Sequence, residues 1–241
     1  MPEKIDARAA HSATVGLRQI PLLAGLGDDA LEALARDCSW RHCAAGQSII
    51  TRNAADRNLH LIVAGRVRVT IYSRSGRQVT FRDRRAGECL GEIAALNGRP
   101  RSADAVAVES TLVASMTPEV FARLRSEQPV VAERLLVHLA GLVRGLSDRV
   151  IEVSTLGVQN RIHAELLRMA RDAGVADNIA RLDPAPRHAN LASQVSTYRE
   201  QVTRVLSALA RERIVAKEGT SLVVLDVARL ERLVDDVGAT P

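Results

Sequence analysis

Between Gly46 and Ser115 the apolar residues fall into short runs rich in β-branched side chains, among them SII, LHLIV, VRVTIY, VTF and TLVASM, divided by Gly46, Gly65, Gly76 and Gly87. Turn residues at such close, regular spacing predict a compact antiparallel sandwich or barrel. Before it, after a polar start expected to be poorly ordered, Asp28 and Asp29 precede Leu31, Leu34 and Ala35, the pattern of one short capped helix. From Pro129 the period changes. Leu135, Leu139, Leu142, Leu146, Val150 and Val153 follow one another at steps of three and four, which places them on one face of a long helix. So narrow a seam serves either to pack the helix on its own domain or to form a two-stranded coiled coil. The length of the helix favours a dimer seam, because a long helix rarely buries a single stripe internally.

Beyond Ser154, RIHAELLRMARDAG is again helical, and DPAPRH, with its two prolines, reads as a loop. NLASQVSTYREQVTRVLSALARERIV then predicts two helices around a short polar turn, sharing an apolar face of Leu191, Val195, Val202, Val205, Leu206 and Leu209. VAKEGTSLVVL follows as a hairpin and ARLERLVDD as a last amphipathic helix, so the segment has the order of a winged helix-turn-helix. The chain is therefore expected to be α+β in three parts: a jelly-roll-like antiparallel β-roll over 1–128, a dimerisation helix and hinge over 129–155, and a winged helix over 156–241.

Composition narrows the function. The 241 residues suffice for two modest domains, and with aromatics at 2% the core must be mostly Leu, Val, Ile and Ala. The net charge is +5, and the stretch from Arg187 to Lys217 alone carries six Arg or Lys against two Glu. Positive charge thus sits on the helix-turn-helix, where DNA phosphates would lie. Cys38, Cys43 and Cys89 are odd in number and lack CxxC spacing, which argues against a disulfide framework and a structural zinc site, so no metal is expected. His60, His138, His163 and His188 show no HxxxH spacing. No export signal or apolar run of about 20 residues is present, and a cytoplasmic protein with no membrane partner is expected. No nucleophile-base set points to an enzyme, and the winged helix leaves no room for a catalytic module after Ser154.

Two stretches carry chemistry. In GECLGEIAALNGRPRSADAVA, residues 87–107, Gly91 permits close backbone approach, Glu92 can accept from ribose hydroxyls and Arg101 can fork onto a phosphate. The blander alternative for these two charges is a surface ion pair. In STYREQVTR, Arg199, Glu200 and Arg204 begin the second helix of the motif, where Arg can pair with guanine and Glu can accept from cytosine. Their blander alternative is a solvated face with an intrahelical Glu200–Arg204 pair. A nonspecific architectural DNA binder would not need this trio.

The segment GEIAALNGRPRSA resembles the phosphate-binding cassette of the CRP/FNR family of transcription regulators, and the resemblance extends from about Leu17 to Leu233. It implies a cyclic-nucleotide-binding roll in which Glu92 takes the ribose hydroxyl, Arg101 the cyclic phosphate, and Ser102 with the backbone around Gly91 and Ile93 the remaining contacts. Val69 and Phe81 would line the purine. The cyclic AMP receptor branch has a Thr-Ser pair on the long helix facing adenine; here Leu146 and Ser147 stand in its place, which removes one polar contact. REQVTR resembles the R-E-x-V-x-R set of that branch and implies a TGTGA-like half-site, with Ser196, Gln201 and His188 as flanking DNA-side residues. Ser196 occupies a turn position where glycine is common. Cyclic AMP is the expected allosteric ligand, with no prosthetic group. The alternatives are cyclic GMP, a cyclic dinucleotide, or DNA binding without ligand. The expected partners are double-stranded DNA, a second copy of the chain and RNA polymerase. An iron–sulfur sensor is disfavoured, since three cysteines cannot complete a four-thiolate site, and a haem sensor is disfavoured by the intact cassette.

Overall fold

The computed structural model describes residues 14–72 and 78–235; the polar start and the turn expected at Gly76 lie outside these. Helix α1 (Asp28–Asp37) leads into eight strands: β1 (Ser39–Cys43), β2 (Ser48–Ile50), β3 (Leu59–Ala64), β4 (Arg66–Tyr72), β5 (Gln78–Arg85), β6 (Cys89–Leu90), β7 (Asp104–Ala107) and β8 (Thr111–Met116). They form two antiparallel four-stranded sheets, ordered β1-β8-β3-β6 and β2-β7-β4-β5. Alternation along the strands sorts the side chains. Ile62 joins Cys43, Ile50, Val67, Ala105 and Val113 in one core, whereas Leu59 and Leu61 join Leu31, Leu34, Met116 and Phe121 in another. The roll starts earlier than the apolar runs suggest. SWRHC is too polar to read as a strand, yet Trp40 packs on the second of these cores and Cys43 is buried in the first.

Helix α2 (Glu92–Asn97) interrupts the roll between β6 and β7, and α3 (Pro118–Glu127) leads into α4 (Pro129–Thr155), which runs unbroken through Ser154. The chain divides into two compact units between Leu142 and Val143, inside α4. The expected seam is corrected here. Leu135 is buried with Val131, and Leu139 packs on the same core, so the first residues of the stripe serve their own domain. The stripe's later members Leu146, Val150 and Val153 are exposed, together with Leu136, Val137, Val143 and Ile151, which the expected seam did not include.

The second unit contains α5 (Val158–Ala173), β9 (Val175–Ala176), β10 (Ile179–Leu182), α6 (His188–Gln194), α7 (Arg199–Arg211), β11 (Val215–Glu218), β12 (Ser221–Val224) and α8 (Val227–Asp235), with a sheet ordered β11-β12-β10-β9. The expected shared face of α6 and α7 is buried at all six positions, against Ile162, Leu166 and Leu230. The β9–β10 hairpin is an addition to the expected winged helix. Its turn residues Asp177 and Asn178 have φ of 50° and 65°, as a type I′ turn needs. Ser196 has φ 56°, the left-handed conformation that its place in the turn implied and that costs a residue with a Cβ about 1–2 kcal/mol.

Candidate functional site

β6 passes into α2 through Gly91, whose φ of 81° lies in the left-handed region. A Cβ there would stand 2.2 Å from Arg101 Nη1 and 2.9 Å from the Asn58 carbonyl oxygen. The missing side chain is what lets the guanidinium lie on the backbone, where Nη1 donates to the Gly91 carbonyl at 3.2 Å. Gly91→Ala combines a backbone cost of about 1–2 kcal/mol with overpacking of about 1–3 kcal/mol. Thermal unfolding is expected to show the roll destabilised by about 2–4 kcal/mol, the sum of those ranges reduced for partial relaxation.

Arg101 is only 2% exposed. Its Nη2 donates to Asp56 Oδ2 at 2.5 Å and to the Asn58 carbonyl at 2.7 Å, and lies 3.3 Å from His60 Nε2, while its buried Nε has no partner. His60 Nδ1 is 2.7 Å from Ser115 Oγ, so the imidazole is tied to β8. The neighbouring His60 and Arg101 hold the Asp56 carboxyl well below the usual carboxylate range, against the opposing effect of its partial burial. Burial pushes His60 down, which favours the neutral ring beside a guanidinium. A cleft of about 400 Å³ opens beside this network, lined by Trp40, Arg41, Ile49, Asp56, Asn58 and His60. Its lining does not include Gly91, Glu92, Ile93 or Ser102.

Glu92, also buried, lies on the first turn of α2 and faces α4: His138 Nε2 is 3.8 Å from its Oε1, and Cys89 Sγ is 3.7 Å from the same nitrogen. Burial alone would raise the Glu92 carboxyl, but His138 and a backbone N–H bring it below its ordinary value, so it is ionised at neutral pH. Glu92 and Arg101 therefore do not form the surface ion pair considered above; both are buried, and each has its own partner. The arrangement offers an anionic acceptor and a cationic fork on either side of a glycine turn. Asp56 and His138 are absent from the sequence-derived set because each lies more than 40 residues from the charge it meets.

Of the other expected ligand residues, Ser102 is exposed, Ile93 is 46% exposed, and Val69 packs at the edge of the core between the sheets. Phe81 is on β5, with its side chain outside the described residues. Leu146 and Ser147 belong to the second unit and are exposed; the Ser147 hydroxyl donates to the Val143 carbonyl one turn back at 3.0 Å. All three thiols are buried, and burial pushes Cys38 and Cys89 up to about 12.

On the DNA side, α7 starts after Tyr198 and presents Arg199, Glu200 and Arg204 to solvent, with Gln201 half-buried. Among the described residues no side chain pairs with these three charges, so the alternative Glu200–Arg204 pair is not made. His188 Nδ1 lies 2.8 Å from Thr203 Oγ1 and joins α6 to α7. No helix among the described residues is long and apolar enough to cross a membrane.

Residues 40–128 match the family model "Cyclic nucleotide-binding domain", and residues 160–233 match "Crp-like helix-turn-helix domain". The chain is 30% identical over 214 residues to the "Cyclic AMP receptor protein" of Thermus thermophilus, covering 88% of this chain and 96% of that one. A crystal structure of the Thermus thermophilus catabolite activator protein superposes with a TM-score of 0.52 at 29% identity, over 90% of this chain and 99% of the other. The regulator CLP of Xanthomonas campestris, described as responsive to c-di-GMP, shares the fold with a TM-score of 0.71 at 19% identity, over 82% and 99% of the two chains. A ligand-binding roll joined to a winged helix defines a sensor that regulates transcription. The chain belongs to the CRP/FNR family: it is a cyclic-nucleotide-binding transcription regulator and not an enzyme.

Proposed function

We propose that this protein is a homodimeric, cytoplasmic regulator that binds cyclic AMP in its cassette and then reads a TGTGA-like palindrome, where it meets RNA polymerase. The observation that carries this reading is the buried guanidinium of Arg101 lying against Gly91, with Glu92 ionised at the next position. Arg101 forks onto the cyclic phosphate with help from Ser102 and the Ile93 backbone, Glu92 accepts from the ribose hydroxyl, and Val69 and Phe81 line the base. In the free chain Asp56 holds the guanidinium, so an incoming phosphate competes with an internal carboxylate. Val143, Leu146, Val150 and Val153 are exposed at steps of three, four and three, which supports a coiled-coil contact between two copies of α4. Two recognition helices in a dimer must lie about 34 Å apart to enter successive major grooves. A ligand that binds one dimer arrangement more tightly than another shifts the population toward it.

A second reading keeps the fold and changes the ligand. Leu146 offers no hydrogen bond to a base edge, which favours cyclic GMP, a cyclic dinucleotide such as the one named for the Xanthomonas relative, or no ligand at all. Calorimetric titration with cyclic AMP and cyclic GMP, followed by anisotropy on a TGTGA palindrome at constant salt, separates these. The expected result is tight cyclic AMP binding that raises DNA affinity at least about tenfold, a coupling of about 1.4 kcal/mol. Saturable binding of cyclic GMP alone selects the second reading. No heat with either nucleotide, together with DNA binding unaffected by both, overturns cyclic AMP control.

A further inference from the structure

We propose that Cys89, Glu92 and His138 form a binding site for a divalent transition-metal ion with the ligand preference of zinc. The three residues bring one ligand atom each, Sγ, a carboxylate oxygen and a ring nitrogen, to within 4.8 Å of one another. They come from β6, the first turn of α2 and α4, so the convergence is tertiary and not a by-product of helical spacing. The Cys89–His138 and Glu92–His138 separations are 3.7 and 3.8 Å. Tetrahedral bonds of about 2.0–2.3 Å place ligand atoms roughly 3.3–3.8 Å apart; both separations to His138 meet this spacing, and Cys89 and Glu92 lie within 4.8 Å of each other.

The chemistry of the set selects the ion. A thiol sulfur, an imidazole and a carboxylate suit zinc, whereas calcium and magnesium take all-oxygen shells. Without an ion His138 Nε2 stands between the other two groups, 3.7 Å from the Cys89 sulfur and 3.8 Å from a Glu92 oxygen. Cys89 and Glu92 are buried and His138 is half-buried, so the open fourth position lies on the His138 side, where water can complete the shell. Binding replaces the thiol proton by the metal and releases that proton to solvent. The sequence led to the expectation of no metal because it offers no local spacing: the ligands stand at 89, 92 and 138. An occupied site would clip the cassette helix to α4. It would also use the carboxylate assigned above to the ribose hydroxyl, so metal and cyclic nucleotide would compete; this last point rests on the proposed function.

The test is titration of the full chain, stripped with a chelator, with Co²⁺ and then Zn²⁺. One Co²⁺ per chain is expected, with a thiolate-to-cobalt charge-transfer band and visible bands of tetrahedral intensity, displaced by Zn²⁺. The band is expected to disappear in Cys89→Ser and to persist in Cys38→Ala. Affinity is expected to fall more than about 100-fold in His138→Ala, since even outer partners of a metal ligand are worth about 10–100-fold. Zn²⁺ is expected to raise the thermal midpoint of the wild-type chain and not that of His138→Ala, whose own melt without metal shows that it folds. Absence of the band in the wild-type chain, or its persistence in both Cys89→Ser and His138→Ala, overturns the site. Cyclic AMP that bleaches the band supports both the site and the ribose role of Glu92. Cyclic AMP that binds without bleaching it leaves the site standing and refutes that role, and a chain that binds cobalt but no nucleotide refutes only the proposed function.

Discussion

Replacing Arg101 by alanine is expected to weaken cyclic AMP binding by at least about 100-fold while the chain remains folded, as measured by calorimetry beside a thermal melt. A hydrogen bond to a charged group contributes about 1.5–3 kcal/mol, so a two-pronged contact with the cyclic phosphate is worth about 3–6 kcal/mol, which at 1.4 kcal/mol per decade is at least two decades. The cost to folding is smaller. Asp56 is about half exposed and returns to water when the guanidinium goes, while the carbonyls of Gly91 and Asn58 lose a donor. Such a loss is worth about 1–3 kcal/mol. Arg101→Lys separates charge from geometry. It keeps a cation near Asp56 but loses the planar fork, and its affinity is expected to fall between those of the wild type and the alanine variant. Wild-type affinity in Arg101→Ala would remove the cassette from the ligand-binding role.

The sequence made legible whatever depends on local periodicity. Six buried positions of the helix-turn-helix follow from 3.6-residue spacing, and the positive φ of Ser196 follows from its place in the turn. The β9–β10 hairpin left a signal that apolar runs do not register: Asp177–Asn178 is turn chemistry between strands too short to show alternation. The direction of the long stripe was not legible, because packing on one's own domain and pairing with a partner impose the same three-four spacing. Only the structure shows that Leu135 and Leu139 are used internally while Val143, Leu146, Val150 and Val153 are exposed. In the cassette, the sequence supplied the chemical types and the structure supplied their counterions. Asp56 precedes β3 by a few residues, and nothing in its neighbourhood points to an arginine 45 residues away. His138 likewise sits in a helical pattern that accounts for its neighbours and not for itself.

Arg199→Ala and Arg204→Ala are each expected to lower affinity for a TGTGA-like palindrome by about 10- to 100-fold per half-site contact, since a bidentate pair with guanine is worth about 1–3 kcal/mol. Glu200→Ala is expected to act differently. A carboxylate cannot attract phosphate, so removing it leaves nonspecific affinity nearly unchanged and relaxes the preference for the base pair that it reads. The three side chains are exposed and unpaired among the described residues, so the free protein spends nothing to release them and the loss appears undiluted in binding. Lys217 on β11 supplies the contrast, being an exposed cation on the wing. As a phosphate contact, Lys217→Ala weakens all sequences alike and lowers the salt dependence by about one unit of slope. Anisotropy titrations of the wild-type and four variant chains, on palindromic and scrambled duplexes at several salt concentrations, check both patterns. If the α7 variants lose affinity equally on both duplexes, Arg199 and Arg204 bind phosphate and the sequence is read elsewhere.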